Sequence, residues 1–203
     1  MAHIPDGVLS LPVAAAGWAG AVAMAGVALR RLEEERIPET AILAAVFFTV
    51  SLVAVPVGPS SVHLLLSALM GLMIGPLVTV AVMVGLALQL LLFGFGGLTS
   101  FGVNTVNIAL PGVVAALVLA GPVARAAPGR AALLAGIAGA VSVLATGGGV
   151  ALALALSSGD YVPSARVVVV TYLPLAAAEA LVTGFAIGFL KRVKPDALMG
   201  ATP

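Results

Sequence analysis

The sequence predicts an all-α integral membrane protein, a single polytopic bundle over residues 1–203. Hydrophobic residues make up 62% of the chain and charged residues only 8%, and the mean hydropathy is +1.23. This composition leaves too little polar surface to cover a water-soluble globule. The apolar runs lack the alternation of barrel strands, and lipid offers no partner for unpaired backbone groups. The spans are therefore expected to be helical.

Apolar runs separated by Gly, Pro and polar residues predict about seven helices. No positive segment precedes the first run, and Arg30 and Arg31 follow it, which favours a retained helix over a cleaved signal peptide. The third run is too short to cross about 30 Å of hydrocarbon alone, so either it enters partway or its boundary lies elsewhere. The expected helices cover residues 9–29, 41–57, 62–74, 77–93, 106–120, 131–156 and 167–190.

The basic residues predict the orientation of this bundle. With the amino terminus outside, the outer loops keep only Arg166 of the nine lysines and arginines, as the positive-inside rule requires. The carboxyl tail, residues 191–203, is then cytoplasmic. The amino-terminal segment 1–10 and a Gly-rich loop at 94–107 lie outside. The expected inner basic residues are Arg30, Arg31, Arg36, Arg125, Arg130, Lys191, Arg192 and Lys194.

Several function classes are excluded by missing residues. The chain has no cysteine, which removes disulfides and thiolate ligands. It has no G-x-x-x-x-G-K-[ST] sequence for its own ATPase and no H-E-x-x-H metal-hydrolase motif, so an enzyme is not expected. The basic residues form no patch away from the membrane ends, which argues against a nucleic-acid partner. The protein is expected to contact a lipid bilayer and no nucleic acid.

Two histidines, His3 and His63, are the only ones in the chain and predict a metal site. Removal of Met1, which the small Ala2 favours, leaves a free amine on Ala2. That amine, the His3 backbone nitrogen and His3 Nδ1 can then chelate one metal, with His63 as the fourth ligand. Planar nitrogen ligands favour Ni(II) or Cu(II). If Met1 is retained, a different four-nitrogen chelate no longer needs His63.

His63 has two interpretations, as a metal ligand or as a structural residue. It is expected in the first turn of a helix capped by Ser60 or Ser61, where the helix dipole keeps the ring neutral. The alternative is that His3 lies in a solvated tail and His63 is a hydrogen-bonded structural residue. Composition does not separate the two.

The polar residues near these histidines are also candidates. Asp6 either caps the first helix or accepts a hydrogen bond from a ligating imidazole. The Gly-rich loop 94–107 is either a lid over the metal or a tight reversal, and Asn104 and Asn107 are best placed to bond the ligands. Farther along, Glu179 is either a proton relay or a structural group.

Three separated motifs carry a family resemblance: HIPDGVLS at 3–10, SSVHLLL at 60–66 and GGLTSFGVNTVN at 96–107. They resemble the CbiM/NikM family, the substrate-capture components of cobalt and nickel energy-coupling-factor (ECF) ABC transporters. The resemblance implies metal ligation by the amino-terminal amine, the second-residue histidine and a later histidine. Many members begin directly with Met-His, so the intervening Ala2 is harmless only if Met1 is removed. The metal ligands by position are Ala2, His3 and His63, and the residues expected around them or in a lid are Asp6, Ser61, Thr99, Asn104 and Asn107.

The resemblance implies uptake of Ni²⁺ or Co²⁺ across a prokaryotic cytoplasmic membrane, with the ion as cargo and no permanent cofactor. It also implies a transmembrane coupling subunit, cytoplasmic ATPase subunits and often a small accessory membrane subunit. The alternative is a stand-alone ion-coupled metal transporter or channel, in which Glu179 relays protons. Charged residues are almost absent from the spans, which disfavours that alternative.

Small residues recur at helix spacing and have two interpretations. Gly17, Ala21 and Ala25 lie on the first expected helix, and Ala41 and Ala45 on the second. Such rows let helices approach closely. They either pack inside the bundle or form a docking face for the coupling subunit.

Overall fold

A computed structural model describes residues 3–57 and 60–198 of the chain. Within this part, five helical segments are long and apolar enough to cross a membrane. The all-α membrane bundle is therefore confirmed. The α-helices are α1 (Leu11–Leu29), α2 (Ile37–Ser51), α3 (Ser67–Ile74), α4 (Val78–Phe93), α5 (Phe101–Arg125), α6 (Pro128–Ser157) and α7 (Val162–Val193).

The segment between α2 and α3 differs from the sequence prediction. Helix α2 ends at Ser51, and two short strands follow, β1 (Val55–Val57) and β2 (Ser60–Val62), paired antiparallel with Val55 opposite Val62. Pro56 lacks the N–H that would continue a helix, and β-branched valines favour extended backbone. Ser60 and Ser61 therefore lie in a strand, and the N-cap residue of the next helix is Leu66. The expectation that His63 lies in the first turn of a helix is wrong.

The third helix is short, as predicted, although it begins later than expected. Helix α3 starts at Ser67, and a short 3-10 helix at Gly75–Leu77 joins it to α4. The combined segment Ser67–Phe93 is one of the five candidate spans. At the end of α3, the Arg36 guanidinium donates a 3.2 Å hydrogen bond to the Met73 carbonyl. This cation satisfies a carbonyl at the negative end of the helix.

Close backbone contacts fix the directions of the long helices. Gly17 of α1 lies against Val103 of α5, and Gly20 lies against Val106, so the two helices run parallel. Helix α6 runs antiparallel to α5. Two hydrogen bonds show this direction: Ser142 donates to the Pro111 carbonyl and Thr146, later in α6, to the Asn107 carbonyl, earlier in α5. Helix α7 returns again, and α6 and α7 share the most extensive helix contact in the described chain.

These directions place the expected inner basic residues at one end of the bundle. The carboxyl ends of α1 and α5 share that end because the two helices are parallel. Lys191 near the end of α7 donates to the Ala124 carbonyl of α5, and Arg36 joins the α3 terminus there. The two histidines lie toward the opposite end. The charge separation on which the predicted orientation depends is therefore present in the fold.

Candidate metal centre

The amino-terminal segment folds back against the start of α5. A turn at Asp6 and Gly7, with Gly7 at φ +80°, reverses the chain before α1. Ile4 is buried and packs with Val103, Val150 and neighbouring residues of α6 and α7. The turn thus delivers His3 and Ile4 into the protein interior.

The backbone of Ile4 is held by polar side chains of α5 and the loop before it. The Ile4 N–H donates to Asn104 Oδ1 at 3.0 Å, and the Ile4 carbonyl accepts from Asn104 Nδ2 at 3.0 Å. The same carbonyl accepts from Ser100 Oγ at 2.6 Å. Asn104 therefore satisfies both backbone groups of the residue that follows His3.

Asp6 joins the same two segments from the surface. Its carboxylate accepts hydrogen bonds from the Leu98 N–H at 2.9 Å, the Thr99 N–H at 2.8 Å and Thr99 Oγ1 at 2.6 Å. The Thr99 hydroxyl, followed by these backbone donors, lowers the pKa of Asp6. The carboxylate thus supplies the negative charge preferred at the amino end of α5. It does not cap α1, whose N-cap residue is Ser10.

The Gly-rich loop is shorter than predicted, because α5 begins at Phe101. The loop covers 94–100, and Asn104 and Asn107 lie on the helix rather than in a lid. Gly97 is needed where the loop meets Asp6, since a Cβ there would collide with the Asp6 carboxyl group. The loop and the amino-terminal segment therefore form one hydrogen-bonded unit.

His3 and His63 meet inside this unit. Their ring centroids are 5.0 Å apart, and the two Nε2 atoms lie 3.1 Å apart. Only 7% of His3 and 4% of His63 is exposed. His3 is therefore not in a solvated tail, and residues 60 positions apart in the chain share one interior site.

The hydrogen bonds assign the tautomers of the two rings. His63 Nδ1 lies 2.9 Å from the Leu64 carbonyl, which only accepts, so that nitrogen carries the proton. A neutral His63 then presents a lone pair at Nε2, and His3 Nε2 must donate to it. The remaining lone pair is on His3 Nδ1, a buried atom without a hydrogen-bond partner in the described residues.

Both rings are held neutral by their surroundings. Burial first, and then the neighbouring His63, lowers the pKa of His3 to about 3. Burial also lowers the pKa of His63, against the opposing effect of its bond to the Leu64 carbonyl. Desolvation disfavours the charged imidazolium. Burial, rather than the expected helix dipole, keeps these two imidazoles neutral.

Two imidazoles alone do not complete a metal site. Across residues 3–57 and 60–198, no three His, Cys, Asp or Glu side chains converge to hold a metal ion. Further ligands would have to be backbone nitrogen atoms or the terminal amine. Ala2, the predicted source of that amine, lies outside the described residues.

Two other residues predicted near the metal, Ser61 and Asn107, lie in different elements of the fold. Ser61 lies in β2, and its side chain is outside the description. Asn107 lies between α5 and α6, where its carbonyl accepts from Thr146 Oγ1 at 2.8 Å. In the described chain Asn107 makes no hydrogen bond to the amino-terminal segment, which gives its expected bond to the ligands no support. Met70 is buried in the aliphatic core.

Sequence reasoning missed Ser100 as a residue that holds the amino-terminal segment. The available signal was its spacing from Asn104, because residues four apart lie on one helix face. Both side chains reach the Ile4 carbonyl from that face.

The comparisons with known proteins agree with this architecture. Residues 3–197 match the family described as CbiM, the cobalt uptake substrate-specific transmembrane region. The chain belongs to the CbiM family. Among relatives of this CbiM protein, a putative metal transport protein of Haemophilus influenzae is 35% identical over 97% of this chain and 96% of its own length. A fused nickel transport protein NikMN of Rhodobacter capsulatus is 32% identical over 97% of this chain and 63% of its own.

A solved structure supports the fold of this CbiM protein. The crystal structure of a transition metal transporter superposes with a TM-score of 0.78 at 26% identity, covering 94% of this chain and 93% of that one. Together with the five apolar spans, family membership makes the protein a multi-pass membrane component of cobalt or nickel transport. It is not a catalytic enzyme. Its bacterial relatives are consistent with a prokaryotic plasma membrane.

Proposed function

We propose that this CbiM protein is the metal-capturing component of an ECF-type ABC transporter and binds Ni²⁺ or Co²⁺ at the His3 end of the bundle. The observation that carries the proposal is the buried His3–His63 pair, in which the lone pair of His3 Nδ1 has no partner among residues 3–57 and 60–198. Burying a polar atom without a partner costs free energy. A metal ion that takes this lone pair removes that cost.

The proposed ligands are the Ala2 amine, the His3 backbone nitrogen, His3 Nδ1 and His63 Nε2. No described residue uses the His3 Nδ1 lone pair, whereas His63 Nε2 accepts from His3. Binding at His63 therefore requires the contact between the two rings to open. The bonds from Asn104 and Ser100 to Ile4 hold the residue next to the chelate, which supports pre-organisation of the site.

The chain needs partners to move its cargo. It carries no phosphate-loop sequence, so ATP hydrolysis is assigned to cytoplasmic ATPase subunits linked through a transmembrane coupling subunit. A small accessory membrane subunit completes the proposed assembly. The stand-alone transporter is less favoured, because the Glu179 carboxyl bonds to the backbone of Leu65 and Leu66 and is thereby occupied as a structural acceptor.

Isothermal calorimetry with Ni²⁺ and Co²⁺ tests the site directly. We expect His63→Ala, or an extra residue inserted before His3, to abolish binding. Met70→Leu is the control: it changes a buried residue with little change in volume and is expected to bind as the wild type does. Unchanged affinity in the extended variant would refute the chelate.

Two further measurements separate the alternatives. Mass analysis of the purified amino terminus reports whether Met1 is removed and Ala2 is the first residue. Reconstitution of the chain alone into vesicles is expected to give no metal flux. Flux without ATPase subunits would favour the stand-alone transporter.

A further inference from the structure

The chain between β2 and α3 makes a sharp reversal three residues after His63. Leu66, the N-cap residue of α3, has φ 52° and ψ 15°. It is the one non-glycine residue with positive φ in the described chain. This left-handed conformation crowds the Cβ of an L-residue and persists only where the surroundings enforce it. Something must therefore hold this reversal.

The Glu179 carboxyl group of α7 is in position to hold it. Glu179 Oε1 accepts a hydrogen bond from the Leu65 N–H and a second from the Leu66 N–H at 2.8 Å. Glu179 itself is 1% exposed. Because α3 has no side-chain cap of its own, this single oxygen from a distant helix satisfies two backbone donors at its start.

Packing does not fix His63 on every side. A cavity of about 460 Å³ lies beside it, bounded by His63 and Leu64, by the end of α2 and by Pro174 and Leu175 of α7. The side chains of Leu65 and Leu66, in contrast, are buried in the core. The position of the His63 side chain relative to the core thus depends on the backbone conformation at Leu65 and Leu66.

We propose that Glu179 is a positioning residue of the metal site, which sets the place of His63 by clamping the Leu65 and Leu66 amides from α7. The inference rests on the proposed role of His63 as a metal ligand. Groups that orient ligands typically change metal affinity 10- to 100-fold when they are removed. The clamp also makes α7 part of the site although α7 supplies no ligand.

Substitutions at Glu179 test the clamp by calorimetry with Ni²⁺ on the full chain. Glu179→Leu removes the acceptor and is expected to weaken binding about 10- to 100-fold. Thr183→Val is the matched control, because Thr183 is fully buried one turn further along α7 and its hydroxyl has no partner in the described residues. We expect the control to bind as the wild type does. Equal affinity of Glu179→Leu and the wild type would overturn the proposal.

Two conservative variants keep the test decisive if Glu179→Leu does not fold. Glu179→Gln keeps an oxygen acceptor at the same reach, whereas Glu179→Asp keeps the carboxyl group but withdraws it by one methylene. A clamp predicts tighter metal binding by the Gln variant than by the Asp variant. The reverse order would indicate that the carboxyl charge matters rather than its reach, and would overturn the clamp.

Electron paramagnetic resonance of bound Cu²⁺ separates this inference from the proposed function. Cu²⁺ binds planar nitrogen ligands more tightly than Ni²⁺ or Co²⁺, so it is expected to stay on the three amino-terminal nitrogens even in His63→Ala, and its spectrum reports how many nitrogens are bound. If Glu179 positions His63, the spectra of Glu179→Leu and His63→Ala are alike and differ from the wild type. A wild-type spectrum in Glu179→Leu, with an altered one in His63→Ala, would overturn the clamp alone. Identical wild-type and His63→Ala spectra would instead overturn the ligand role of His63.

Discussion

At the residue scale, the side-chain amide of Asn104 has a specific task at the candidate site. It donates to the Ile4 carbonyl and accepts from the Ile4 N–H, so one side chain pairs with both backbone groups of the residue after His3. Asparagine suits this task because its amide carries a donor and an acceptor side by side. Aspartate lacks the donor and leucine lacks both.

Asn104→Ala is therefore expected to loosen the amino-terminal segment. The Ile4 carbonyl keeps its bond from Ser100, but the buried Ile4 N–H loses its acceptor, which costs about 1–3 kcal/mol. Ni²⁺ affinity is expected to fall about 10- to 100-fold, as for other groups that orient ligands. Asn107→Ala is the matched control, because Asn107 lies one turn away on the same helix and faces Gly149 of α6 instead. Calorimetry that shows equal losses for the two variants would contradict this role.

At the element scale, the structure separates the two interpretations of the small residues. Gly17 and Ala21 of α1 face the bundle, where Gly17 packs against Val103 of α5 and Ala21 is fully buried. Ala41 and Ala45 of α2 are exposed on the bundle surface. Gly17 and Ala21 thus serve packing within the chain, and the docking-face interpretation is left to α2.

Gly17→Ala tests the packing of α1 on α5. A Cβ at Gly17 would meet the backbone of Val103, which cannot move aside as a flexible side chain can. Overpacking of this kind costs about 1–3 kcal/mol, so the thermal unfolding midpoint in detergent is expected to fall. Gly26→Ala on the same helix, where a Cβ meets nothing, should leave the midpoint unchanged or raise it. A midpoint for Gly17→Ala equal to that of Gly26→Ala would argue that the two helices are not packed as described.

The sequence predicts the helical segments better than it predicts the residues at which they begin and end. Apolar length and the Gly and Pro residues between runs suffice to predict the helices, because burial in lipid depends on local composition. The strand pair at 55–62 was missed because its valines also suit a membrane helix. The Glu179 clamp and the Asp6 cap were missed because each joins segments about 90 residues or more apart, and nothing local in the sequence indicates such a pairing.

At the scale of the whole molecule, the candidate metal centre and the expected inner basic residues lie toward opposite ends of the bundle. The two histidines, Asp6 and the loop 94–100 lie toward one end of the bundle, whereas the basic residues Arg36 and Lys191 lie at the other. A membrane orients such a chain with its basic end in the cytoplasm. The candidate metal centre is then expected to face outward, as the proposed capture of an ion from outside the cell requires, and the proposed ATPase subunits are expected at the opposite end.

Thiol labelling tests this orientation cleanly, because the natural chain has no cysteine. Leu98→Cys places a single thiol on an exposed position of the loop beside Asp6, and Glu34→Cys places one on the exposed turn between α1 and α2. In intact cells, a membrane-impermeant maleimide is expected to label Leu98→Cys, while Glu34→Cys reacts only after the membrane is permeabilised. The opposite pattern would place the histidines on the cytoplasmic side. A metal centre there could not capture ions from outside, so that result would contradict both the orientation and the proposed uptake.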